Sequence, residues 1–597
     1  MQPMPIQTIH HRADFCVVGG GLAGMCAAVA AARGGSRVVL MQERPLLGGN
    51  ASSEIRMWVC GAHGSNNRET GIIEEICLEN LYRNESKNYY VWDGILYETV
   101  RNEPNIELLL NCSCCFAETE GNRIRSVTGW QTTTQQWHTV EADLFSDCSG
   151  DSILAPLTGA EFRYGREDPA EFGEICTYDR GDRKTMGMSC LLQGRLLDHP
   201  VRFVAPEWAT EITPEVVANR PFHMMSEKEN FWYLELGGDR DCIRDAEALR
   251  NELVALAYGI WNYIKNSGTV ENADYWDLEF LGFLPGKRES RRMIGAYLMN
   301  QRDVLSGGHF PDTVAYGGWP LDDHAPGGYF HTGAANIEVK TPAPYGIPYR
   351  CLYSKNIENL FFAGRNVSMT HAAMSSTRVM ATCAILGQAV GTAANVAREF
   401  GLTPDGVYRE QIALLQERLM EAGCFLPAMR RRISDACRNA ELSCEGDCEN
   451  SENLRNGADR NNHTYKTAEN GATVPLGKAV TYRLREPMRP ALIHLAFDSD
   501  LDRNTLQGSE FARYHSMQCN ILPDTPSQHL PATLPKRFTV AAKTPDGERI
   551  VLYSAAENRK PVINLSPNTV ISELSFTVDE VWYSASDRVH LFSFDFR

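Results

Sequence analysis

The sequence predicts an α/β protein in which a Rossmann-type domain is built in two parts around an inserted α+β domain and is followed by an all-β sandwich. Three observations carry this prediction. A glycine-rich turn links an apolar strand to a helix of small residues in residues 14–33. A second strand and a glycine-bearing helix come more than 300 residues later, in residues 359–394. From about residue 475, short alternating segments separated by turn residues are typical of an antiparallel sandwich.

The length of the chain requires more than one hydrophobic core. A chain of 597 residues is expected to form two or three domains. We place the first part of the Rossmann-type domain at residues 1–160 and an inserted substrate domain at 161–330. The second part, with a helical extension, follows at 331–440, and the sandwich occupies 450–597.

The charge balance argues against nucleic acid or an anionic membrane as a partner. Lys and Arg total 58 against 75 Asp and Glu, which gives a net charge of −17. The first fifteen residues contain no apolar signal region, and no later apolar run approaches the ~20 residues of a membrane span. We therefore expect a cytoplasmic protein without a membrane span, and the sequence leaves a homo-oligomer open.

The cysteines predict reduced core thiols rather than disulfides or a metal site. Most of the eighteen lie in apolar stretches of a large chain. Two closer groups, Cys112/Cys114/Cys115 and Cys437/Cys444/Cys448, lack the paired C-x2-C spacing of zinc and ferredoxin sites. We therefore expect no bound metal.

The N-terminal glycine loop predicts a dinucleotide site. Gly19 permits a tight turn, Gly21 lets backbone amides approach a pyrophosphate, and Gly24 lets the helix pack closely on the strand. The start of the helix, with Leu22 and Ala23, then faces the phosphates. A chance glycine-rich turn is the alternative, and the flanking strand and alanine-rich helix argue against it.

An acidic residue is expected about 20 residues after the loop, where it would bind the adenosine ribose. The usual position carries Gln42, and Glu43 follows it. We expect Glu43 to make the ribose contact and keep Gln42 as the alternative, because an amide can also bind a hydroxyl. Glu43 as a solvated surface charge is the third possibility.

The next segment distinguishes FAD from NAD. Residues 48–57 read GGNASSEIRM and residues 285–292 read PGKRESRR. In these stretches the chain resembles bacterial FAD-dependent oxidoreductases of the glutathione-reductase superfamily, which are related to fumarate reductase and succinate dehydrogenase flavoproteins. The resemblance implies FAD as cofactor and an FAD-binding domain with an inserted substrate domain. It also implies cofactor contacts for Arg44, Gly49, Asn50, Ala51 and Ser52.

Two later segments are similar to other parts of that superfamily's cofactor domain. The stretch after the extended residues 106–110 would lay its backbone against adenine, with Cys114 at the contact. The turn at Gly150 and Asp151 resembles the one that approaches the FAD pyrophosphate, although an ordinary Asp/Ser/Gly turn is the alternative.

The second half of the cofactor domain begins with a strand that ends at Gly364 and Arg365. A helix of small residues follows, and its N-terminal dipole and free amides can stabilise negative charge on the reduced flavin. The residues that we expect to contact FAD here are Val379, Met380, Ala381 and Thr382.

The loop between that strand and helix offers catalytic candidates. His371 is expected to act as a proton shuttle and Arg378 to steady an oxyanion. Fumarate reductase relatives also offer a His and an Arg here, but with different spacing. The alternative is a His that locks the loop and a salt-bridged Arg.

Further candidates lie in the predicted insertion. Arg288 and Arg291 could clamp a polar substrate with Glu289 orienting them, although such a charge run is often a solvated face. His324 with Asp323, close after the aromatic Trp319, is the second candidate base. Two other histidines were also considered: His331 as a third base, and His63 as a residue that could approach the flavin or bond to it.

These features predict an FAD-dependent oxidoreductase that transfers a hydride between flavin N5 and a small polar substrate, with a carbohydrate as one candidate. Two alternatives stay open. One is a glycan-binding or assembly protein whose flavin is structural, and the other is a flavoprotein electron carrier with a separate partner. Asn456 and Gly457, together with residues 491–501, faintly resemble a sandwich of the discoidin or galactose-binding type, for which a structural or dimer-forming role is the alternative.

Overall fold

A computed structural model describes residues 6–226, 229–462, 470–501, 517, 519–525, 527–583 and 586–597. The N-terminal part contains a sheet in which parallel strands alternate with helices and an antiparallel hairpin follows. Its helices are α1 Leu22–Arg33, α2 Ile72–Arg83 and α3 Tyr89–Arg101. Its strands are β1 Thr8–Val18, β2 Val38–Met41, β3 Ile106–Leu109, β4 Cys112–Glu120, β5 Arg123–Gln131 and β6 Gln136–Asp147.

The strand order β3-β2-β1-β6-β5-β4 brings the carboxyl ends of β1, β2 and β6 to one edge of the sheet. A strand from the distant second half, Leu360–Phe362, pairs in parallel with the end of β6. Ligands bind at the carboxyl edge of such sheets. The topology therefore places the glycine loop after β1, the turn after β6 and the returning segment together.

The region after β6 consists of short helices and small two- and three-stranded sheets. Among the described residues of this region one helix is long, and it contributes to the insertion's own core around Trp261 and Trp276. The helices are α4 Leu154–Thr158, α5 Pro169–Phe172, α6 Pro214–Ala218, α7 Ala246–Asn266 and α8 Gln301–Leu305. The strands are β7 Phe162–Arg163, β8 Met188–Ser189, β9 Leu192–Leu196, β10 Glu235–Leu236, β11 Trp276–Leu281, β12 Gly286–Lys287, β13 Arg292–Met293, β14 Thr313–Gly317, β15 Leu321–His324, β16 Asn336–Val339 and β17 Tyr345–Pro348.

The second half of the cofactor domain adds β18 Leu360–Phe362 and four helices: α9 His371–Thr377, α10 Met380–Phe400, α11 Pro404–Glu421 and α12 Asp435–Asn439. Helix α10 packs on α1 with glycine at the closest points. A Cβ atom at Gly387 would lie 1.9 Å from the Ala23 carbonyl oxygen, and one at Gly391 would lie 2.1 Å from that of Ala27. The two halves of the domain therefore share one helix–helix interface.

The C-terminal region is a sandwich of two antiparallel sheets. One sheet has the order β19-β21-β26-β23-β24 and the other β20-β27-β22-β25. Tyr482, Phe576 and Phe594 pack against one another between the two sheets, with their rings tilted, in the buried core. The strands are β19 Glu441–Cys444, β20 Ala472–Pro475, β21 Ala479–Met488, β22 Ile493–Phe497, β23 Pro535–Lys543, β24 Arg549–Ala555, β25 Val562–Leu565, β26 Ile571–Val581 and β27 Arg588–Phe596.

The predicted fold class is confirmed: an α/β cofactor domain in two parts, an α+β insertion and an all-β sandwich. Within residues 231–238 only β10 is extended, and turns surround it. Parts of the predicted sandwich, residues 463–469 and 502–516, lie outside the described residues.

One helix in the described part of the chain, α10, is long and apolar enough to cross a membrane, and 89% of its apolar window is buried inside the protein.

Burial is also typical of the cysteines. Cys16, Cys26 and Cys383 are buried thiols, and burial raises the pKa of Cys383 to about 12. Such thiols pack as small apolar side chains.

Candidate active site

A cavity of about 500 Å³ lies at the carboxyl edge of the main sheet and extends between the two halves of the cofactor domain and the insertion. It collects most of the residues that the sequence indicates for the cofactor. Those in its lining are Gly19, Gly21, Leu22, Ala23, Gln42, Glu43, Arg44, Gly49, Asn50, Cys114, Gly150, Asp151, Gly364, Arg365, Val379 and Met380. Five predicted contacts are not in the lining: Gly24, Ala51, Ser52, Ala381 and Thr382.

The three glycines of the loop exclude a side chain for different reasons. A Cβ at Gly19, where φ is +106°, would lie 2.4 Å from the Cys148 carbonyl oxygen, and one at Gly24 would lie 1.8 Å from that of Gly19. The protein's own backbone therefore requires both. At Gly21 the nearest atom to a Cβ is the Gly49 Cα at 3.9 Å, so only the contents of the cavity restrict this position.

Gln42 and Glu43 have separate surroundings. The Gln42 side chain accepts a hydrogen bond from the Gly20 amide at 2.7 Å and donates to the Leu46 carbonyl at 2.9 Å. Both polar atoms of the Gln42 side chain therefore already form hydrogen bonds within the loop, which disfavours a contact with the ribose. The Glu43 side chain is 66% exposed and borders the cavity, where it could accept hydrogen bonds from ribose hydroxyls.

The turn after β6 is held by a buried cluster of charges. Asp151 accepts hydrogen bonds from Lys287 and Arg365, each at 2.7 Å, and from the Ser290 hydroxyl at 2.8 Å. Burial would raise the pKa of Asp151, but the two cations lower it to about 2. The carboxylate therefore stays charged and fixes two cations beside the glycine loop, where they could face a pyrophosphate.

The start of α10 differs from the prediction of free amides. Val379 and Met380 line the cavity, but the Ala381 amide donates to the Cys60 carbonyl at 2.9 Å, and the Thr382 hydroxyl donates to Glu69 at 2.7 Å. Ala381 and Thr382 thus anchor the helix start instead of facing the cavity. Ala51 and Ser52 likewise have a structural role, in the turn that begins at Gly48. There the Ser52 hydroxyl donates to the Gly49 carbonyl at 2.8 Å.

The end of the cavity formed with the insertion is lined by three indoles and a compact polar group. The indoles belong to Trp58, Trp232 and Trp319, and the polar residues include Arg288, Asp322, His324 and Arg378. His324 is buried between two carboxylates. Its Nδ1 lies 2.6 Å from Glu235 Oε2, and its Nε2 lies 3.3 Å from Asp322 Oδ2. The shorter contact fixes the orientation of the ring.

Both predicted arginines reach the cavity, and each is paired with an acid. Arg378 donates to the Asp322 carboxylate at 2.8 Å, and Arg288 lies 3.4 Å from Glu235. Arg288 also donates to the Trp232 carbonyl at 2.7 Å. Burial lowers the pKa of Arg288 and the nearby Glu235 opposes that effect. Burial alone would raise the pKa of Asp322, but His324 and Arg378 hold it well below its usual range.

The pairing of Asp323 with His324 is wrong, because consecutive side chains of a strand point to opposite faces. On β15, Asp322 and His324 face the cavity, and Asp323 faces the other side. There Asp323 lies 3.0 Å from Nε2 of His371. The β15 carboxylate that contacts His324 therefore belongs to Asp322, two positions before it in the sequence, and not to the adjacent Asp323.

His371 also lies outside the cavity, contrary to its predicted role as the proton shuttle. Its Nδ1 lies 2.9 Å from Glu289 and its Nε2 is occupied by Asp323, so neither nitrogen is available. Burial would lower the pKa of His371, but these two carboxylates raise it to about 10. His371 is thus a buried cation that locks its loop, which was the alternative considered for it.

Glu289 does not orient Arg288 and Arg291 as predicted. Its carboxylate binds Arg292 and His371 in the network behind the cavity, where Arg292 also pairs with Glu167 at 2.7 Å. Arg291 borders the cavity near the Asp151 turn, to whose carbonyl it donates at 3.2 Å. The two remaining histidines, His331 and His63, are exposed and do not line the cavity, although the His63 ring packs edge-on against Trp319.

Several residues of the site were missed. Glu235 follows a run of aromatic residues and comes from a different strand, 89 positions before its partner His324. Nothing in the sequence links the two. Asp322 could have been found from the alternation along β15. Trp58 and Trp232 read as ordinary core residues, since a single indole in an apolar stretch is usually buried.

The arrangement fits a dinucleotide with a charged diphosphate. Among the described residues, the Nε atoms of Arg44, Arg365 and Arg378 are buried at the cavity without a hydrogen-bond partner. Fold, glycine loop and basic lining together define an α/β dinucleotide-binding protein with a polar pocket at one end of its cavity.

The family model described as FAD dependent oxidoreductase matches residues 14–419, and the chain belongs to this family. The resemblance seen in the sequence is confirmed, and FAD is the cofactor. No curated protein matches the chain.

Solved structures with similarity to parts of the chain include E. coli quinol fumarate reductase FrdA, with 12% identity, 70% of this chain and 75% of that chain covered, and a TM-score of 0.27. A geranylgeranyl bacteriochlorophyll reductase-like protein from Thermoplasma acidophilum has 11% identity, 69% and 86% coverage, and a TM-score of 0.28. The family 32 carbohydrate-binding module of Streptococcus pneumoniae EndoD has 12% identity, 28% and 99% coverage, and a TM-score of 0.19.

Proposed function

We propose that this FAD-dependent oxidoreductase oxidises an alcohol carbon of a small, uncharged polyhydroxy molecule, such as a sugar or glycoside. The observation that carries the proposal is the composition of the pocket. Three indoles line it beside hydrogen-bonding side chains, and the two arginines among these are each paired with an acidic residue of the protein. FAD, when bound, supplies the two-electron redox chemistry.

The compensated charges favour a neutral substrate over a dicarboxylate. Arg378 is paired with Asp322 at 2.8 Å, and Arg288 lies 3.4 Å from Glu235. A dicarboxylate would have to compete with both internal acids, and its own charges would be buried beside them. Asn336 and Glu338 also line the cavity and add neutral and acidic acceptors. Hydroxyl groups can both donate to these acceptors and accept from the arginines.

The indoles provide an apolar surface that complements a sugar ring. Trp58, Trp232 and Trp319 line the pocket, and the Trp232 ring packs edge-on against His324 with 5.3 Å between centroids. Sugar rings expose C–H faces that bury well on aromatic side chains, while their hydroxyls extend to polar neighbours. The position of Trp232 would bring such a ring next to the imidazole.

His324 is the group that we propose accepts the hydroxyl proton as the alcohol becomes a carbonyl. We assign the Nδ1 proton to the short contact with Glu235, which leaves Nε2 to act as the base. The Nε2 contact with Asp322 is longer, at 3.3 Å, so a substrate hydroxyl can replace it. Glu235 then stabilises the imidazolium, and Arg378 stabilises negative charge that develops on the substrate oxygen.

We propose that FAD is held by the residues of the rest of the cavity. The glycine loop and the start of α1 would bind the pyrophosphate, with Lys287 and Arg365 beside them. Glu43 would bind the ribose, and Cys114 would border the adenine. The start of α10 would place its dipole at the flavin.

Anaerobic titration of the oxidised holoprotein tests the proposal. Neutral sugars and glycosides should bleach the visible absorbance of the flavin, and succinate at equal concentration should not. The variant His324→Gln should keep its yellow colour but bleach at least about a hundredfold more slowly. If succinate bleaches the flavin, or if no sugar in a broad panel does, the assignment of a neutral polyhydroxy substrate fails while the FAD site stands.

A further inference from the structure

A second cavity, of about 370 Å³, lies apart from the FAD cavity. Its walls come from Arg56, from the loop before α3 and the first residues of that helix, from strands β9 and β11, and from Ile521, Leu522, Thr525 and Ser527. Residues Ile55 and Met57 line the FAD cavity, and Arg56 between them lines this second one. One short segment therefore borders both cavities with opposite faces.

The backbone at Arg56 is held in an unusual conformation that directs the side chain into the second cavity. Its φ is +62°, in the left-handed region that non-glycine residues rarely adopt. Two contacts fix it: the Arg56 amide donates to the Ser52 carbonyl at 2.8 Å, and the Tyr89 hydroxyl donates to the Arg56 carbonyl at 2.7 Å. Residues kept in such conformations concentrate at functional sites.

The Arg56 guanidinium is buried, and its recorded hydrogen bond goes to a neutral group. The residue is 7% exposed. Its charge opposes the rise that burial causes in the pKa of Asp93, but the Asp93 carboxylate accepts its hydrogen bond from the Ser53 amide, at 3.0 Å. The Arg56 Nη1 donates to the Gln193 side chain at 3.0 Å, and the Arg56 Nε has no hydrogen-bond partner in the described part of the chain. A buried arginine is normally paired. Arg220, by contrast, is equally buried but donates to three backbone carbonyls.

Aromatic rings surround the cation. The guanidinium carbon lies 4.2 Å from the Phe280 ring centroid, 5.1 Å from that of Tyr89 and 5.8 Å from that of Tyr90. Tyr90 is 72% exposed, so it stands on the solvent side. Arg195 also lines the cavity, and it is already paired with Glu279 at 2.8 Å. Lys87, which is 2% exposed, also lines the cavity and has an interaction of its own. Among the described residues that line the cavity, Arg56 is therefore the cation with a buried nitrogen that has no hydrogen-bond partner.

We propose that this cavity binds a small organic oxyanion, in which a carboxylate or phosphate pairs with Arg56 and an apolar group contacts the tyrosines. A planar guanidinium binds both kinds of oxyanion through paired hydrogen bonds, and the cavity has the volume of a small-molecule site. The site is independent of the substrate pocket and of the function proposed for it.

Calorimetric titration of FAD-saturated protein tests the site with three probes that share one ring. Benzoate and phenyl phosphate carry the two oxyanions, and benzyl alcohol carries none. The wild-type protein should bind at least one of the charged probes at concentrations below about 10 mM and should bind benzyl alcohol far more weakly. The comparison of the two charged probes identifies the preferred oxyanion.

Variants then assign the binding to this cavity. Arg56→Gln should weaken the binding of the charged probe by about tenfold or more. Tyr90→Glu adds a negative charge at the cavity wall on an exposed position, so the fold is retained and binding should be lost. Tyr97→Glu is the matched control, because Tyr97 is exposed on the same helix and does not line the cavity.

Two results would overturn the proposal. One is the absence of binding of both charged probes to the wild-type protein. The other is binding that is unchanged in Tyr90→Glu, which would place the probes elsewhere. If Arg56→Gln fails to retain FAD, Tyr90→Glu against Tyr97→Glu decides the question alone.

Discussion

Glu235 Oε2 lies 2.6 Å from His324 Nδ1, and both residues are almost completely buried. Burial would raise the pKa of Glu235, but Arg288 and His324 lower it, so the carboxylate stays ionised. An ionised carboxylate on one imidazole nitrogen orients the ring and stabilises its protonated form. The proposed role of His324 as a base therefore depends on Glu235, which does not line the cavity.

Replacing that carboxylate should reduce the rate without loss of the cofactor. In Glu235→Gln the amide cannot stabilise an imidazolium, so we expect flavin reduction by the substrate to slow by about 10²–10⁴-fold, with little change in KM. Stopped-flow absorbance measures this rate. The matched control is Glu229→Gln, since Glu229 is also buried but binds backbone amides outside the cavity. Equal rates in both variants would remove Glu235 from the mechanism.

The glycine loop offers a variant that folds without its cofactor. Gly21 has φ of −64°, which any residue adopts, and space for a Cβ. Gly21→Asp should therefore fold normally but stay colourless, because the new carboxylate would repel the FAD diphosphate. Circular dichroism and visible absorbance measure the two properties. Gly24→Ala should instead misfold, since its Cβ would lie 1.8 Å from the Gly19 carbonyl oxygen. Yellow Gly21→Asp protein with full flavin content would contradict the placement of the diphosphate.

The network behind the cavity should make stability depend on pH. The pKa of His371 is about 10 in the folded protein because Glu289 and Asp323 raise it against the effect of burial, whereas an unfolded histidine titrates near 6.5. The folded state thus binds more protons between these values, and the stability from this group is complete below about pH 6.5 and is lost as the pH rises through about 10.

His371→Gln removes that contribution. At neutral pH the variant should be less stable by about 3–5 kcal/mol, because two buried carboxylates lose their cation. The difference from the wild type should shrink as the pH approaches 10. Denaturant unfolding at several pH values measures it. A difference that stays constant with pH would mean that His371 is not the titrating group.

The interface between α1 and α10 should tolerate no added methyl group. Gly387→Ala would place a Cβ 1.9 Å from the Ala23 carbonyl oxygen, so we expect a loss of about 1–3 kcal/mol or more and weaker FAD retention. Gly94→Ala is the control: Gly94 lies inside α3 with nothing within 4 Å of a new Cβ. That variant should gain about 0.5–1 kcal/mol, since alanine favours the helix. Similar thermal unfolding of the two variants would contradict the close packing.

The cofactor segments could be predicted because their signals are local. A strand, a glycine turn and a small-residue helix are adjacent in sequence, and the topology then brings Gly21, Asp151 and Arg365 together at one sheet edge. The catalytic group is different. Its residues come from short irregular strands, and neither the pairing of Glu235 with His324 nor that of Glu289 with His371 leaves a periodic pattern. Such contacts depend on how the insertion packs.

The error at β15 had a simpler origin. The sequence prediction pairs Asp323 with His324 because the two residues are adjacent. In a strand, however, adjacent side chains point to opposite faces, and side chains two positions apart share a face. With that rule, Asp322 would have been the expected partner of the imidazole. The prediction of free amides at Ala381 failed for a different reason, because the Cys60 carbonyl that occupies this amide lies more than 300 residues away.

The contact between Gly387 and the backbone of α1 also has a consequence during synthesis. The ribosome completes α1 roughly 350 residues before it makes the start of α10. At about 5–20 residues per second, the first half of the cofactor domain waits on the order of 20 to 70 seconds for the helix that covers it. Capture of FAD is therefore a late event in the life of the nascent chain, and the apolar face of α1 is the surface that needs protection until then.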